Sequence, residues 1–219
     1  MGEIIVGRAH EEQKNIKQNV MQELKNQYYI MRHGRAISNV KEIMSSWPET
    51  FDNSLTEHGV ITVQDAAGHL KEKHIEMIFA SDLKRTAQTA AIMSEALGLP
   101  PQFDARLREM DFGSMNGKPV NEIRSIMGRY QGPGYAQFGG EDYKDTSRRV
   151  SEFLKDVEGK YQGKTILIVS HQAPLTLLEE KVCDIPLLEI TKIPDYIQIQ
   201  NAEIRDLNKI VAKVKLSPV

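Results

Sequence analysis

Three short apolar runs in this chain end in the same way, and that repetition limits its folds more than any other feature. Tyr28-Tyr29-Ile30-Met31 leads into Arg32-His33-Gly34, and Thr165 to Val169 leads into Ser170-His171-Gln172. Ile75 to Ala80 leads into Ser81-Asp82, with Lys84 and Arg85 just beyond. Short apolar runs bounded by polar residues read as buried strands. Between them lie helical patterns. Thr56 suits the N-cap of a helix running to about Lys73, and Ser81 or Asp82 is expected to cap a second that stops at Gly98, with Pro100 beyond. Val150, Phe153, Leu154 and Val157 follow the 0, 3, 4, 7 spacing of an amphipathic helix beginning near Asp142. Alternation of this kind argues for an α/β fold with a mostly parallel sheet covered on both faces. Ligands of such sheets bind at the carboxyl ends of the strands. Parallel strands would therefore turn His33, Arg85 and His171 toward one crevice.

The remaining segments fit around that frame. Residues 9 to 25 read as a helix with Ile16, Val20, Met21 and Leu24 on a thin apolar face, so residues 1–26 form an N-terminal helical extension. It is expected to pack on the domain surface or on a second subunit, which leaves a homodimer open. The first strand is Gln27 to Met31, and a short strand is expected near Phe103. Residues 113 to 141 are rich in glycine and carry Pro119 and Pro133, with one short helix around Asn121 to Met127. This stretch reads as a lid-like excursion over the crevice. A helix near 173–183 and strands near 195–200, 202–207 and 210–214 complete the chain.

Composition excludes several classes. The 219 residues fit one α/β domain, and a net charge of −2 gives no basic surface for nucleic acid. Cys183, the only cysteine, rules out an intrachain disulfide and reads as a buried, inert thiol. No run approaches the roughly 18 apolar residues of a membrane span, so no membrane partner is expected. Met1 to Val6 lacks the basic and apolar regions of a secretory signal and the hydroxyl residue of a myristoylation signal. A soluble, cytoplasmic protein is the expectation. His10, His58, His69 and His74 have no metal-ligand spacing, and no metal is expected. Gly163-Lys164-Thr165 echoes a phosphate-binding loop, but Glu158 stands at its first glycine and a strand follows.

The motifs, taken in order, resemble one family. They are Arg32-His33-Gly34 with Asn39, Leu55-Thr56-x-x-Gly59, Ser81 to Ala90, Leu107-Arg108-Glu109-x-Asp111-Phe112-Gly113-x-x-x-Gly117, Gly139-Gly140-Glu141-Asp142 and Val169-Ser170-His171. Together they resemble the histidine phosphatase superfamily, which also contains the cofactor-dependent phosphoglycerate mutases. The resemblance spans roughly residues 27 to 207, identifies 27–219 as the catalytic domain, and implies a three-layer α/β/α sandwich.

The resemblance implies that His33 is a nucleophile that forms a phosphohistidine. Arg32 and Arg85 would clamp the phosphate, and their charge would keep the imidazole neutral for attack. His171, Asn39 and the backbone N–H of Gln172 would complete the cradle. Glu109 would be the general acid, favoured over Asp111 by its place in the motif, and no cofactor is implied. Two residues depart from the pattern. Arg35 follows the glycine where an acidic residue is usual, pointing either to a more acidic substrate or to a local carboxylate partner. Asp142 stands where serine is common, leaving Glu141 as the better anchor of the helix start.

The reading these features support is a phosphatase of small phosphorylated metabolites. A phosphoglycerate mutase is the alternative, but it would carry a longer insertion after the general-acid block, with more basic residues. Here Gly113 to Glu141 offers only Lys118, Arg124 and Arg129. A non-catalytic phosphate-binding module would have no need of both nucleophile and acid.

Overall fold

Thr165–Ser170 (β4) sits at the centre of the sheet, and its side chains explain why. Ile166, Leu167, Ile168 and Val169 are all fully buried, as in a strand covered on both faces. The computed structural model describes residues 24–127, 134–183 and 198–210. Around β4 lie Gln27–Arg32 (β1), Met77–Ala80 (β2), Pro101–Phe103 (β3) and Ile204–Asp206 (β5), in the order β3-β2-β4-β1-β5. The first four pair in parallel, and β5 runs antiparallel to β1 at the edge.

Helices cover both faces. Ile37–Lys41 (α1) follows β1, Glu57–Leu70 (α2) and Lys84–Leu97 (α3) flank β2, and Val120–Met127 (α4) precedes Tyr143–Lys160 (α5). Gln172–Cys183 (α6) follows β4. Side chains alternate across a strand, so Ile166 and Ile168 join Phe153, Leu154 and Val157 of α5 and Leu178 of α6. Leu167 and Val169 point the other way, onto Val63 and Leu70 of α2 and Met93 of α3. The three-layer α/β/α arrangement follows from that division.

The register positions the chemistry. Arg32 pairs with Ser170, and Ala80 pairs with Val169, so β1, β2 and β4 end level with one another. The next residue in each case is His33, Ser81 or His171. The His33 N–H donates to Ser170 O and the Ser81 N–H to Val169 O, carrying the ladder just past the strands. Gly34 then turns the chain under α2. A Cβ there would stand 2.6 Å from Val63 Cγ2, inside any tolerable contact.

Two helix ends match expectation, and two helix starts are capped differently. Thr56 caps α2 by accepting the Gly59 N–H at 3.0 Å. Gly98, left-handed at φ 70°, ends α3. The start of α3 is different, because Leu83 occupies the N-cap and neither Ser81 nor Asp82 caps the helix. Glu49, from a distant loop, accepts the Lys84 N–H instead, at 3.0 Å. At α5 it is Asp142, not Glu141, that caps, accepting the Asp145 N–H at 2.8 Å within a capping box.

The N-terminal helix falls outside the described residues, as does most of the strand expected at 195–200. Residues 198–200 are not in a strand, residue 210 is helical, and 211–214 lie outside. Leu24 packs on the core, and Lys25 and Asn26 tie into it through the buried Glu158 carboxylate, whose Oε1 also accepts the Tyr28 hydroxyl at 2.6 Å. Cys183 is buried at the end of α6, and burial pushes its thiol up to about 11. Among the described residues no helix is long and apolar enough to cross a membrane.

Phe153 is fully buried beneath the sheet, edge-on to Phe79 at 5.4 Å. Phe153→Ala should cost roughly 3–5 kcal/mol in a urea or guanidinium unfolding curve. Ile61→Ala, on the exposed side of α2, should stay within about 0.5 kcal/mol of wild type.

Candidate active site

His33 is the residue around which the site is organised. It is only 3% exposed, and both ring nitrogens have defined partners. Nδ1 lies 2.7 Å from Gly34 O, which can only accept, so Nδ1 carries the proton. Nε2 accepts the Arg85 Nε–H at 3.1 Å, so it carries no proton and directs its lone pair at Arg85. Burial, then the charges of Arg85 and Arg32, hold the ring well below the usual histidine range. The result is a neutral imidazole with a fixed nucleophilic nitrogen.

Arg85 enters from the first turn of α3 and is 2% exposed. Its Nη2 donates to Ser45 O at 3.0 Å, and Nη1 stands 3.6 Å from Glu49 Oε1. Burial draws its pKa down to about 10. Arg32 donates from Nη1 to Ile199 O at 3.0 Å, while its Nε is buried without a partner. His171 is fully enclosed, with Nε2 2.9 Å from Ser81 Oγ and its ring 5.2 Å from that of His33. Its Nδ1 is buried and unpaired. Among the described residues, the buried side-chain atoms without a hydrogen bond are Arg32 Nε, Glu49 Oε1 and His171 Nδ1. Buried polar atoms are nearly always satisfied. Their concentration on one side-chain cluster marks it as a place built for a polar ligand.

Glu109 follows the turn 105–107 and lines the same crevice. Its Oε1 accepts the Met110 N–H at 2.9 Å. Burial raises its pKa, outweighing the opposing pull of Arg85, so the carboxyl is biased toward its protonated form. Asp111, by contrast, spends its carboxylate on the Gly113 N–H at 2.8 Å.

The crevice has a volume of about 690 Å3. Arg32, His33, Asn39, Arg85, Glu109 and Gln172 line it, together with Met44, Phe112, Tyr135, Tyr143 and Arg124. Asn39 Oδ1 accepts the Ala36 N–H at 2.9 Å, which leaves its amide nitrogen to donate. The Gln172 side chain is tied to Gln198 at 2.7 Å. One expectation is corrected: His171 does not line the crevice but stands enclosed at the edge of the His33 ring, because β4 is the sheet's buried centre. Arg35 is exposed and does not line the crevice, and its side chain has no partner among the described residues.

Sequence reasoning missed Glu49, Ser45 and Arg149. Glu49 and Ser45 sit in an irregular loop with no period to betray them. Arg149 lies beside Arg148 on a helix whose charged residues look uniformly solvated. Ser81 was singled out, but as a helix cap and not as the partner of His171.

The two buried imidazoles have a consequence for stability. Both are held well below their ordinary value, chiefly by burial. In the unfolded chain they take up protons near pH 6.5, whereas in the folded protein they do not. The unfolded state then binds more protons below that pH, so stability falls as the pH falls. Each ring contributes up to about 1.4 kcal/mol per pH unit. Thermal melts should decline between pH 6.5 and 5 less steeply for His33→Gln than for wild type. Equal slopes would mean that His33 is already protonated in the folded protein.

Comparison with known proteins agrees with this geometry. Residues 28–211 match the model of the histidine phosphatase superfamily (branch 1). A 2,3-bisphosphoglycerate-dependent phosphoglycerate mutase of Methylobacterium is 31% identical over 68% of this chain and 76% of its own. Phosphoserine phosphatase 1 of Hydrogenobacter thermophilus is 32% identical over 57% of this chain and 62% of its own. The structure of Bacillus stearothermophilus YhfR superposes with a TM-score of 0.70, at 28% identity, over 82% of this chain and 89% of that one. With His33, the two arginines and the Glu109 carboxyl in one crevice, and with the match running from β1 past β5, the chain belongs to the histidine phosphatase superfamily.

Proposed function

We propose that this protein is a metal-independent phosphomonoesterase that hydrolyses a small phosphorylated metabolite through a phosphohistidine at His33. The observation that carries the reading is the unprotonated Nε2 of His33, fixed by the Gly34 carbonyl behind the ring and facing a crevice that also holds Glu109, whose carboxyl burial biases toward protonation.

The phosphate enters between Arg32 and Arg85, and the Arg85 Nε–H gives up the imidazole for a phosphate oxygen. Arg32, the Asn39 amide and the Gln172 backbone N–H are the further donors at the crevice, with His171 enclosed against the edge of the His33 ring. Nε2 attacks phosphorus as the P–O bond to the alcohol breaks, and Glu109 delivers its proton to the departing oxygen. The substrate's own negative charge strengthens the hold of Glu109 on that proton. Water then attacks the phosphohistidine, and the Glu109 carboxylate takes a proton from it. The P–N bond breaks with its electron pair returning to Nε2, and orthophosphate leaves. Among the described residues no three potential metal ligands gather, and the arginines take the task of neutralising charge.

A mutase must shield its phosphohistidine from water and grip a glycerate carboxylate. Of the cations in the lid stretch, Lys118 is paired with Glu122 at 3.3 Å and Arg124 alone lines the crevice, while Arg129 lies outside the described residues. That supply favours hydrolysis. A crevice of about 690 Å3 suits a whole small metabolite, since ligand sites commonly run from roughly 300 to 1,000 Å3.

Purified protein incubated with a panel of phosphorylated metabolites should release inorganic phosphate at a rate unaffected by EDTA. It should interconvert 3- and 2-phosphoglycerate poorly. Isomerisation that depends on a bisphosphoglycerate primer and outpaces phosphate release would overturn the phosphatase reading, and complete loss with EDTA would overturn the metal-free mechanism.

A further inference from the structure

Glu109 stands on an irregular segment, yet a general acid must be held to within a fraction of an ångström. The backbone on both sides of it is secured from one point. Arg149, on α5, donates from Nη1 to Arg106 O at 2.6 Å and to Arg108 O at 2.7 Å, and from Nη2 to Glu109 O at 3.1 Å. The other edge of its guanidinium meets Glu141, Nε to Oε1 at 2.8 Å and Nη2 to Oε2 at 2.9 Å. Glu141 Oε2 in turn accepts the Asp111 N–H at 2.9 Å. The carbonyls before and at Glu109, and the amide two residues after it, are thus tied into one charge-assisted network.

The backbone around this network leaves it no slack. The Glu141 N–H donates to Asp111 O at 2.9 Å, and a Cβ on Gly140 would stand 2.2 Å from that same oxygen. The general-acid loop and the 139–141 loop are therefore pressed backbone to backbone, with Arg149 bridging them. Ser46 Oγ adds one more contact to Glu109 O, at 3.2 Å. Arg149 does not line the crevice, and its side chain is only 15% exposed, so it is neither a substrate ligand nor a solvated surface charge.

We infer that Arg149 is the positioning residue of the general acid: through the carbonyls of Arg106, Arg108 and Glu109 and through Glu141, it sets where the Glu109 carboxyl meets the leaving oxygen. This rests on the reading of Glu109 as the acid. A planar fork with five donors can hold three carbonyls and a carboxylate at once, whereas the compact ammonium of lysine cannot. Charge alone is therefore not sufficient. The Gly139-Gly140-Glu141 block, which contributes only Glu141 to the network by its side chain, acquires a purpose as the second jaw of the clamp.

The test compares Arg149→Lys with wild type and with Glu109→Gln, using an alkyl phosphate that leaves poorly and p-nitrophenyl phosphate that leaves readily. In Arg149→Lys the turnover number for the alkyl ester should fall about 10- to 100-fold, as expected for a displaced proton donor. On the aryl ester it should stay within about threefold of wild type, since that leaving group needs little protonation. Inhibition by orthovanadate should be unchanged, because Arg32, Arg85 and His33 are untouched. Equal loss on both esters, or no loss on either, would overturn the proposal. Glu141→Gln keeps an acceptor for the Asp111 N–H but weakens the grip on Arg149, and should show the same selectivity in smaller degree. If Arg149→Lys does not fold, that variant decides alone, with equal or absent losses counting against the proposal. If Glu109→Gln itself shows no preference between the esters, the acid assignment fails and this inference fails with it. A wild type inactive on every ester would instead refute the phosphatase reading.

Discussion

The parallel pairing of Arg32 with Ser170 is the constraint on which the rest of the site depends. It ends β1 and β4 level, and the residues that follow are the two histidines, whose rings stand 5.2 Å apart. A one-residue slip in either strand would invert every side chain relative to the core. That slip is blocked by the burial of Ile166 through Val169 on both faces of β4. Packing far from the chemistry thus holds the imidazoles in place. The same register puts Ser81 beside the His171 ring, at 2.9 Å.

The cluster that results is costly by ordinary standards. Two arginines and two neutral imidazoles are gathered against Glu109 and Glu49, and the arginine at its centre is almost fully enclosed. Burying charge without full pairing is unfavourable, and three of the atoms involved lack a hydrogen bond. The dianionic phosphate of the proposed substrate would offset the surplus of positive charge and accept from the Arg32 Nε–H that the protein leaves unbonded. The same environment does two further things. It holds the His33 ring well below the usual histidine range and raises the Glu109 carboxyl above the usual carboxylate range, the directions that the proposed roles of nucleophile and acid require.

Much of this was legible in the chain, and the reasons differ by element. The central strands announced themselves because strands buried on both faces must be apolar throughout, as Ile166 to Val169 are. The residues at their ends were legible because each interrupts such a run with a group that has no business in a core. Helix α2 and the C-terminus of α3 were readable from Thr56 and Gly98, whose roles are local. What could not be read depends on contacts between distant segments. Glu49 caps α3 and faces Arg85 from a loop more than thirty residues earlier, and nothing in its own neighbourhood signals that. Arg149 carries the same difficulty in sharper form: adjacent to an exposed arginine, it differs only in the direction its side chain takes. The enclosure of His171 was missed because a strand's end was read as a crevice wall, without allowance for how deep the centre of the sheet lies.

The proposed chemistry turns on which nitrogen takes the phosphate. Protein quenched in alkali during turnover, then examined by mass spectrometry and phosphorus NMR, would identify both the residue and the atom. Because Nδ1 carries its proton to the Gly34 carbonyl and Nε2 is the unprotonated nitrogen, its lone pair met only by the Arg85 Nε–H, the phosphate is predicted on His33 at Nε2. Phosphate on Nδ1, on another residue, or on no residue while turnover proceeds would contradict it.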